Sequence, residues 1–277
     1  MMYVTGDCHA DFTKFSTKRF PEQREMTRDD LVIVCGDFGL WHDGPDERYW
    51  LKWLAQRKFT LLFVDGNHEN FDRLYSDEFP IVDFCGGKAH RIRKNIYHLM
   101  RGYVFDLQGK KFFAFGGASS HDIEDGIINP EDFNATTLPF MELMQSEDLA
   151  DRISYNECMR RVRAESRRLD AMGNPMHRIE HISWWRQELP SADEMLRGLS
   201  ALRANDYRVD YVISHCCPQS IATMMSPKFS QPDKLTKYFD EVSRTIDFSK
   251  WYFGHYHGDD YLLGKYRLLY HKIERII

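Results

Sequence analysis

The sequence predicts an α/β fold, and three observations carry that reading. First, Leu31–Cys35 (LVIVC) and Thr60–Val64 (TLLFV) are unbroken apolar runs, the pattern of strands buried on both faces. Second, residues 47–57 between them set Trp50, Leu51, Trp53 and Leu54 along a helical face, so strand, helix and strand form a βαβ unit. Third, polar clusters close successive strands: Gly6-Asp7 after a short strand at residues 3–5, then Gly36-Asp37, then Asp65-Gly66-Asn67-His68. Asp7, Asp37 and Asn67 recur at thirty-residue intervals. Each therefore falls at the carboxyl end of a strand, where open α/β sheets hold their ligands.

Further along, the pattern changes. Tyr103–Leu107, Gln108-Gly109 and residues 111–115 predict a hairpin that runs into Gly116-Gly117-Ala118-Ser119-Ser120-His121-Asp122. Tyr211–Ser214 and residues 251–253, 261–263 and 266–270 predict four more strands. The second half is thus β-rich, and a second sheet is expected to pack on the first. Residues 124–186 stand apart, with few β signals. Within them, residues 142–172 predict one or two helices with Leu143, Leu149, Ile153, Met159, Val162 and Leu169 as apolar positions. The cations of this stretch are Arg152, Arg160, Arg161, Arg163, Arg167 and Arg168. They read either as a solvated helix face or as a lid presenting guanidinium groups to a phosphate-bearing substrate. The length of 277 residues fits one domain spanning residues 1–277, with 124–186 as a helical insertion or lid within it.

Composition limits the class of protein. Hydrophobic residues make up 43% and charged residues 29%, enough apolar surface for a packed core. The net charge of -5 opposes general nucleic-acid binding, although it permits a local basic patch. The six cysteines show no CxxC pair and no disulfide-framework spacing, which predicts reduced, mostly buried thiols and a cytoplasmic location. The opening MMYVTGDCHADF has no basic n-region, so no signal peptide is expected. No apolar run reaches the roughly 18 residues of a membrane span, and no membrane partner is expected.

Metal-ligating residue types gather at the predicted strand ends. Asp7 and His9 lie two apart and can reach one ion; Asp37 offers a carboxylate able to bridge two. Asn67 offers a neutral amide oxygen, His215 follows one late strand, and His255 and His257 follow another. This nitrogen and oxygen set suits manganese, iron, zinc or cobalt rather than calcium. Seven ligands are too many for one ion, so a two-metal site is expected. Such a pair would polarise a phosphoryl group and lower the pKa of a bridging water, making a hydroxide nucleophile. The leaving oxygen then needs a proton, and His68, beside Asn67, is placed to supply it.

The ordered blocks GDCH, GDFG, GNHE, SH and GHYH resemble those of the calcineurin-like metallophosphoesterase superfamily. The resemblance implies an α/β fold in four layers, an α-β-β-α sandwich of two mixed β-sheets with flanking helices. It also implies ligand roles. Asp7, His9, Asp37 and His257 would hold one metal, Asp37, Asn67, His215 and His255 the other, with Asp37 bridging and His68 as the acid. The two divalent ions are expected to be manganese first, with iron, zinc, nickel or cobalt as alternatives. One departure narrows the class. Phosphoprotein phosphatases of the superfamily carry a second aspartate and an arginine soon after the GD block, whereas this chain reads Gly36-Asp37-Phe38-Gly39-Leu40-Trp41. The bacterial and phage-type phosphoesterases remain.

Two further residues are candidate substrate contacts. Arg101 lies between two predicted strands and either reaches the phosphate or caps a surface; His121 follows a glycine pair at a strand end. The expected activity is hydrolysis of phosphate esters. Phosphodiesters are favoured over monoesters, because a proton donor matters most for a poor leaving group. Nucleic acid is the alternative substrate, in a metal-dependent nuclease. A non-catalytic binding module is the remaining reading, opposed by the complete ligand set.

Overall fold

The computed structural model describes residues 1–277. The chain divides into two compact units, one made of Met1–Ser119 with Gln187–Ile277 and the other of Ser120–Arg186. Strands of the first unit are β1 (Met2–Thr5), β2 (Leu31–Cys35), β3 (Thr60–Val64), β4 (Ile81–Phe84), β5 (Gly87–Arg93), β6 (Ile96–Leu99), β7 (Tyr103–Leu107) and β8 (Lys110–Phe115). The second unit contributes β9 (Gly126–Ile128) and β10 (His177–Ile179). The first unit then resumes with β11 (Tyr211–Ser214), β12 (Lys250–Phe253), β13 (Asp260–Leu262), β14 (Tyr266–Leu268) and β15 (Ile273–Arg275). Helices are α1 (Pro45–Ala55), α2 (Phe71–Leu74), α3 (Phe140–Gln145), α4 (Leu149–Ala171), α5 (Ala192–Ala204), α6 (Gln219–Met225) and α7 (Lys234–Thr245).

Two mixed sheets form the first unit. One has seven strands in the order β15-β1-β2-β3-β6-β5-β4, the other six in the order β13-β14-β12-β11-β8-β7. The parallel centres are β1-β2-β3-β6 and β8-β11-β12-β14, with antiparallel strands at the edges. Side chains alternate across a strand, so each residue of LVIVC has a fixed layer. Leu31, Ile33 and Cys35 enter a cluster shared with Phe105, Leu107, Phe112, Ala114, Ile213 and Tyr252 of the other sheet. Val32 and Val34 face the opposite way, onto Leu51 and Leu54 of α1 and onto Phe12, Phe15 and Phe38. The far face of the second sheet, with Phe113, Phe115, Val212, Trp251 and Phe253, packs on Leu202 of α5, Ile221 of α6 and Phe239 and Val242 of α7. The result is the expected order of layers: helix, sheet, sheet, helix. Burying one such side chain contributes about 1.5–3 kcal/mol.

The predicted hairpin is β7-β8, with Leu107 opposite Lys110. The antiparallel extension β4-β5-β6 was not legible in the sequence. Its strands carry Asp83, Lys88, Arg91 and Arg93 among their apolar positions.

The second unit has its own small core of Ile128, Phe140, Cys158, Met159 and Val162. Its helical stretch is two helices, α3 and α4. Asp148 caps α4 by accepting from the backbone of Ala150 (2.8 Å) and Asp151 (3.3 Å). Two corrections apply here. Leu149 is 73% exposed and Ile153 61%, because the buried face of α4 follows Cys158, Met159 and Val162 and leaves these two out of phase. The segment also contains a parallel strand pair, β9-β10, too short to give a sequence signal. No helix of the chain is long and apolar enough to cross a membrane.

Candidate metal centre

The residues after β1, β2, β3, β11 and β12 converge on one place in the first unit. The Asp7 and Asp37 side chains are 0% and 2% exposed. Around them sit imidazole nitrogens: His257 Nε2 lies 3.4 Å and His9 Nε2 3.6 Å from Asp7 Oδ2. His215 Nε2 lies 3.3 Å and His9 Nε2 3.7 Å from Asp37 Oδ2. His9 and His257 approach nitrogen to nitrogen at 3.1 Å. Asn67 Oδ1 is 3.2 Å from His215 Nε2. Three sets have ligand atoms within 4.8 Å of one another: Asp7, His9 and His257; Asp7, Asp37 and His215; and His9, Asp37 and His68. His255 joins through its backbone, whose N–H donates to Asp7 Oδ1 at 3.0 Å, while its ring lies 5.0 Å from that of His215. His68 donates its backbone N–H to Asp37 Oδ1 at 2.8 Å, and its exposed ring stands edge-on to His9 at 5.2 Å.

Local backbone explains why these side chains can crowd together. His9, Asp37, His255 and His257 all adopt positive φ, at 47°, 45°, 68° and 50°, which turns the chain sharply as each strand ends. Two glycines let the carboxylates sit tight against backbone. A Cβ on Gly66 would fall 2.0 Å from Asp37 Oδ1, and one on Gly254 would fall 2.0 Å from Asp7 Oδ1.

The charges compensate one another. Burial would raise the Asp7 carboxyl, but hydrogen bonds from His257 and His9 hold it far below the usual range. Burial is likewise outweighed at Asp37, which the His215 charge lowers to about 2. His215, despite a burial that works the other way, is raised to about 10, chiefly by Asp37. Its Nδ1 meets the Cys35 carbonyl at 2.8 Å, so Nδ1 carries a proton and Nε2 faces the carboxylates. Two buried carboxylates, an amide oxygen and several imidazoles aimed at one spot form a donor set that fits first-row divalent cations.

Several supporting residues were not singled out beforehand. Lys14 donates to the carbonyls of Asp7 (2.7 Å), Tyr270 (2.8 Å) and Gly6 (3.1 Å), tying the Asp7 loop to the far end of the chain. Tyr270 stacks on His257 at 4.6 Å. Glu69, fully buried, accepts from Phe38 N (2.8 Å), Gly39 N (3.1 Å) and Trp41 Nε1 (2.5 Å). Burial and the Asp37 charge push its carboxyl up to about 8. The missing second aspartate and arginine after Asp37 thus have a physical counterpart. Phe38 and Trp41 are core residues, stacked at 5.5 Å, rather than site residues. The Glu69 acid was visible in GNHE, whereas Lys14 gave no signal, since a lone lysine is ordinarily a surface residue.

Neither expectation for Arg101 holds. It is 1% exposed, and its guanidinium is bound by Asp65 (Nε to Oδ2, 2.8 Å, with Nη2 closing the fork) and by the Gln187 carbonyl (2.7 Å). It therefore neither caps a surface nor reaches solvent to meet a phosphate. His98 Nε2 completes the Asp65 partnership at 3.0 Å, and His90 Nδ1 meets His98 Nδ1 at 2.9 Å. His121 lies exposed in the second unit.

A groove of about 720 Å³ opens beside the centre, lined by Asp7, His9, Arg19, Tyr270, His271 and Lys272 among others. Two mixed sheets flanked by helices, with carboxylates and imidazoles gathered at the strand ends, are the architecture of the calcineurin-like phosphoesterases, a family of phosphoester hydrolases. The chain belongs to the calcineurin-like phosphoesterase family, matching it over residues 2–259. It is also similar to lariat debranching enzyme A of Xenopus laevis, 26% identical over 152 residues that make up 49% of this chain and 27% of that protein. The lariat debranching enzyme of Gallus gallus is 27% identical over 152 residues, with the same shares. The chain thus matches little more than a quarter of the length of these relatives.

Proposed function

We propose that the chain is a dinuclear metal-dependent phosphodiesterase. The observation that carries this is the pair of buried carboxylates, Asp7 within 4 Å of three imidazole nitrogens and Asp37 within 4 Å of two. Asp7, His9, Asp37 and His257 would hold one ion, and Asp37, Asn67, His215 and His255 the other. When bound, such a pair supplies Lewis acidity and lowers the pKa of a coordinated water. The protein's own groups do the rest. Lys14 and Glu69 fix the two carboxylate loops. His68 stands exposed at the rim with its backbone anchored on Asp37, where its imidazole can pass a proton to the leaving oxygen. An alkoxide leaving group gains most from that proton, which favours diesters. The neighbouring groove falls within the usual range for a ligand pocket, about 300–1,000 Å³, and its Arg19 and Lys272 suit an anionic substrate.

The test is metal analysis together with turnover of bis-p-nitrophenyl phosphate and p-nitrophenyl phosphate. Asp37→Asn and His255→Ala should abolish hydrolysis and lower metal content. His68→Ala should keep the metals and slow a diester with an alkoxide leaving group, such as a dinucleotide, by roughly 10²–10⁴-fold, while p-nitrophenyl esters, whose leaving group departs without a proton, should lose far less. Loss of metals from the His68→Ala protein would refute its role as acid, and faster wild-type turnover of p-nitrophenyl phosphate than of bis-p-nitrophenyl phosphate would refute the diester preference. We also propose that residues 124–186 are an insertion that sets substrate choice. Deleting residues 144–178 should change relative rates across a substrate panel more than metal content, and unchanged rates on every substrate would exclude that role.

A further inference from the structure

The arginines of α4 are not distributed at random around the helix. At 3.6 residues per turn, Arg152, Arg160, Arg163 and Arg167 fall within an arc of about 80°, with Asn156 inside it, and span about 22 Å. All four are exposed. The apolar face of the helix is turned elsewhere, onto Ile128 and Phe140 through Cys158, Met159 and Val162. The acids of the helix interior lie outside the arc, and they take up the remaining arginines. Glu157 pairs with Arg161 at 3.0 Å, and with Arg160 at the edge of the arc at 2.7 Å; Glu165 pairs with Arg168 at 2.5 Å. Arg152, Arg163 and Arg167 make no ion pair. The one acid in line with the stripe is Asp170 at its end, whose carboxylate lies 4.0 Å from His177 Nδ1.

This arrangement works against the helix. Arg163 lies three residues after Arg160 and Arg167 four residues after Arg163, so like charges face one another along the stripe. Folding does not require it, since the same helix forms Glu–Arg pairs one face over. The cations are all guanidinium, the group that grips phosphate through paired N–H donors. A strand stacked as in a duplex rises about 3.4 Å per phosphate and an unstacked one rises further, so a 22 Å stripe runs alongside at most about six of them. An embedded membrane helix would need its apolar face free, and here that face is inside the unit's own core.

We propose that the Arg152–Arg160–Arg163–Arg167 face of α4 binds a single-stranded nucleic acid through its phosphate backbone. The second unit supplies this surface by itself, so the inference does not rest on the hydrolytic reading.

The test is fluorescence anisotropy of the full chain with a labelled 20-nucleotide oligo(U) or oligo(dT), in EDTA so that turnover plays no part. Neutralising three to four phosphates gives a slope of log affinity against log salt of about -2 to -3. Affinity should then fall by roughly twenty- to fifty-fold between 50 and 200 mM salt. R152Q/R163Q/R167Q should weaken binding at least twentyfold at low salt and reduce the slope by about 2. R161Q/R168Q, with two charges removed from the other flank, should stay within about threefold of wild type. Equal effects of the two variants, no binding by wild type, or binding to phosphatidylserine vesicles in place of the oligonucleotide would each overturn the proposal. Should the glutamine variant lose helix by circular dichroism, R152K/R163K/R167K must bind within about fivefold of wild type, and failure to do so also overturns it.

Discussion

Removing the Arg101 side chain separates a structural role from a substrate-binding one. Arg101 and Asp65 are 1% and 0% exposed, and the guanidinium meets both Asp65 and the Gln187 carbonyl. The His98 charge and hydrogen bond contribute to a strongly lowered Asp65 carboxyl, but after burial, which raises it, the largest influence is Arg101. In Arg101→Ala, Asp65 keeps one donor, His98 Nε2, and stays buried. Breaking a buried ion pair on one side costs about 3–5 kcal/mol, a large share of the roughly 5–15 kcal/mol by which proteins are stable. At about 2–4 °C per kcal/mol, the melting temperature should drop by roughly 6–20 °C. The double variant R101M/D65N removes both charges and should recover most of the loss, since an unpaired buried charge is what costs. Calorimetry or a urea melt gives the stability, and bis-p-nitrophenyl phosphate turnover gives the activity. A melting temperature within 2 °C of wild type, with a large rise in KM, would refute the structural assignment and return Arg101 to the phosphate.

Three other outcomes follow from the structure. Burial, then the neighbouring His98, lowers His90 to about 3, so the folded state keeps it neutral while the unfolded state protonates it near its ordinary 6.5. Its contribution to stability is complete above pH 6.5 and is lost as pH falls toward 3, at about 1.4 kcal/mol per pH unit. His90→Phe should flatten the stability profile by one proton between pH 6.5 and 4.5, and an unchanged slope by urea titration would contradict this. Gly254→Ala places a Cβ 2.0 Å from Asp7 Oδ1 and 2.8 Å from the Cys35 carbonyl. It should cost about 1–3 kcal/mol and lower metal content by more than half, whereas full metal occupancy by elemental analysis would show that the loop tolerates the shift. Divalent metal at a hundredfold excess over its dissociation constant should stabilise the chain by about 2.7 kcal/mol, read as a rise in melting temperature that EDTA reverses. No shift on metal addition would count against the centre.

How much could be read in advance depended on whether a residue's role was local. LVIVC and TLLFV announce buried strands because both faces are covered and every position is apolar. The polar residues ending those strands stand out against them, which is why the converging residues could be named. Roles set by distant neighbours were hidden. Arg101 looks like any loop arginine until Asp65, thirty-six positions earlier, is seen beneath it. Lys14 meets Tyr270 across 256 positions. The phase of α4 was misread because Leu149 and Ile153 are apolar yet face solvent, so a list of apolar positions could not show which side of the helix the small core of the second unit would take. The antiparallel strands beyond β6 were hidden for a related reason, since β4 has no fully buried position and β5 sets Lys88, Arg91 and Arg93 among its buried ones.

The backbone at the centre ties stability to chemistry. Four of the proposed ligands or their anchors, His9, Asp37, His255 and His257, sit at positive φ without being glycine. Each such residue costs roughly 1–2 kcal/mol, so together they oppose folding by an amount comparable to a protein's whole margin. A chain selected for stability alone would place asparagine or glycine at these turns. That imidazole and carboxylate stand there means that the sheets on either side hold the turns against their own preference. The parallel centres of both sheets do this by fixing each strand end on two sides: β1 by β2 and β15, β2 by β1 and β3, β12 by β11 and β14. His9 and His257 are also joined directly, ring nitrogen to ring nitrogen at 3.1 Å, so the turn after β1 and the turn after β12 hold one another. The layers of this fold therefore bear on the proposed centre by fixing the strand ends that carry its crowded imidazoles and carboxylates.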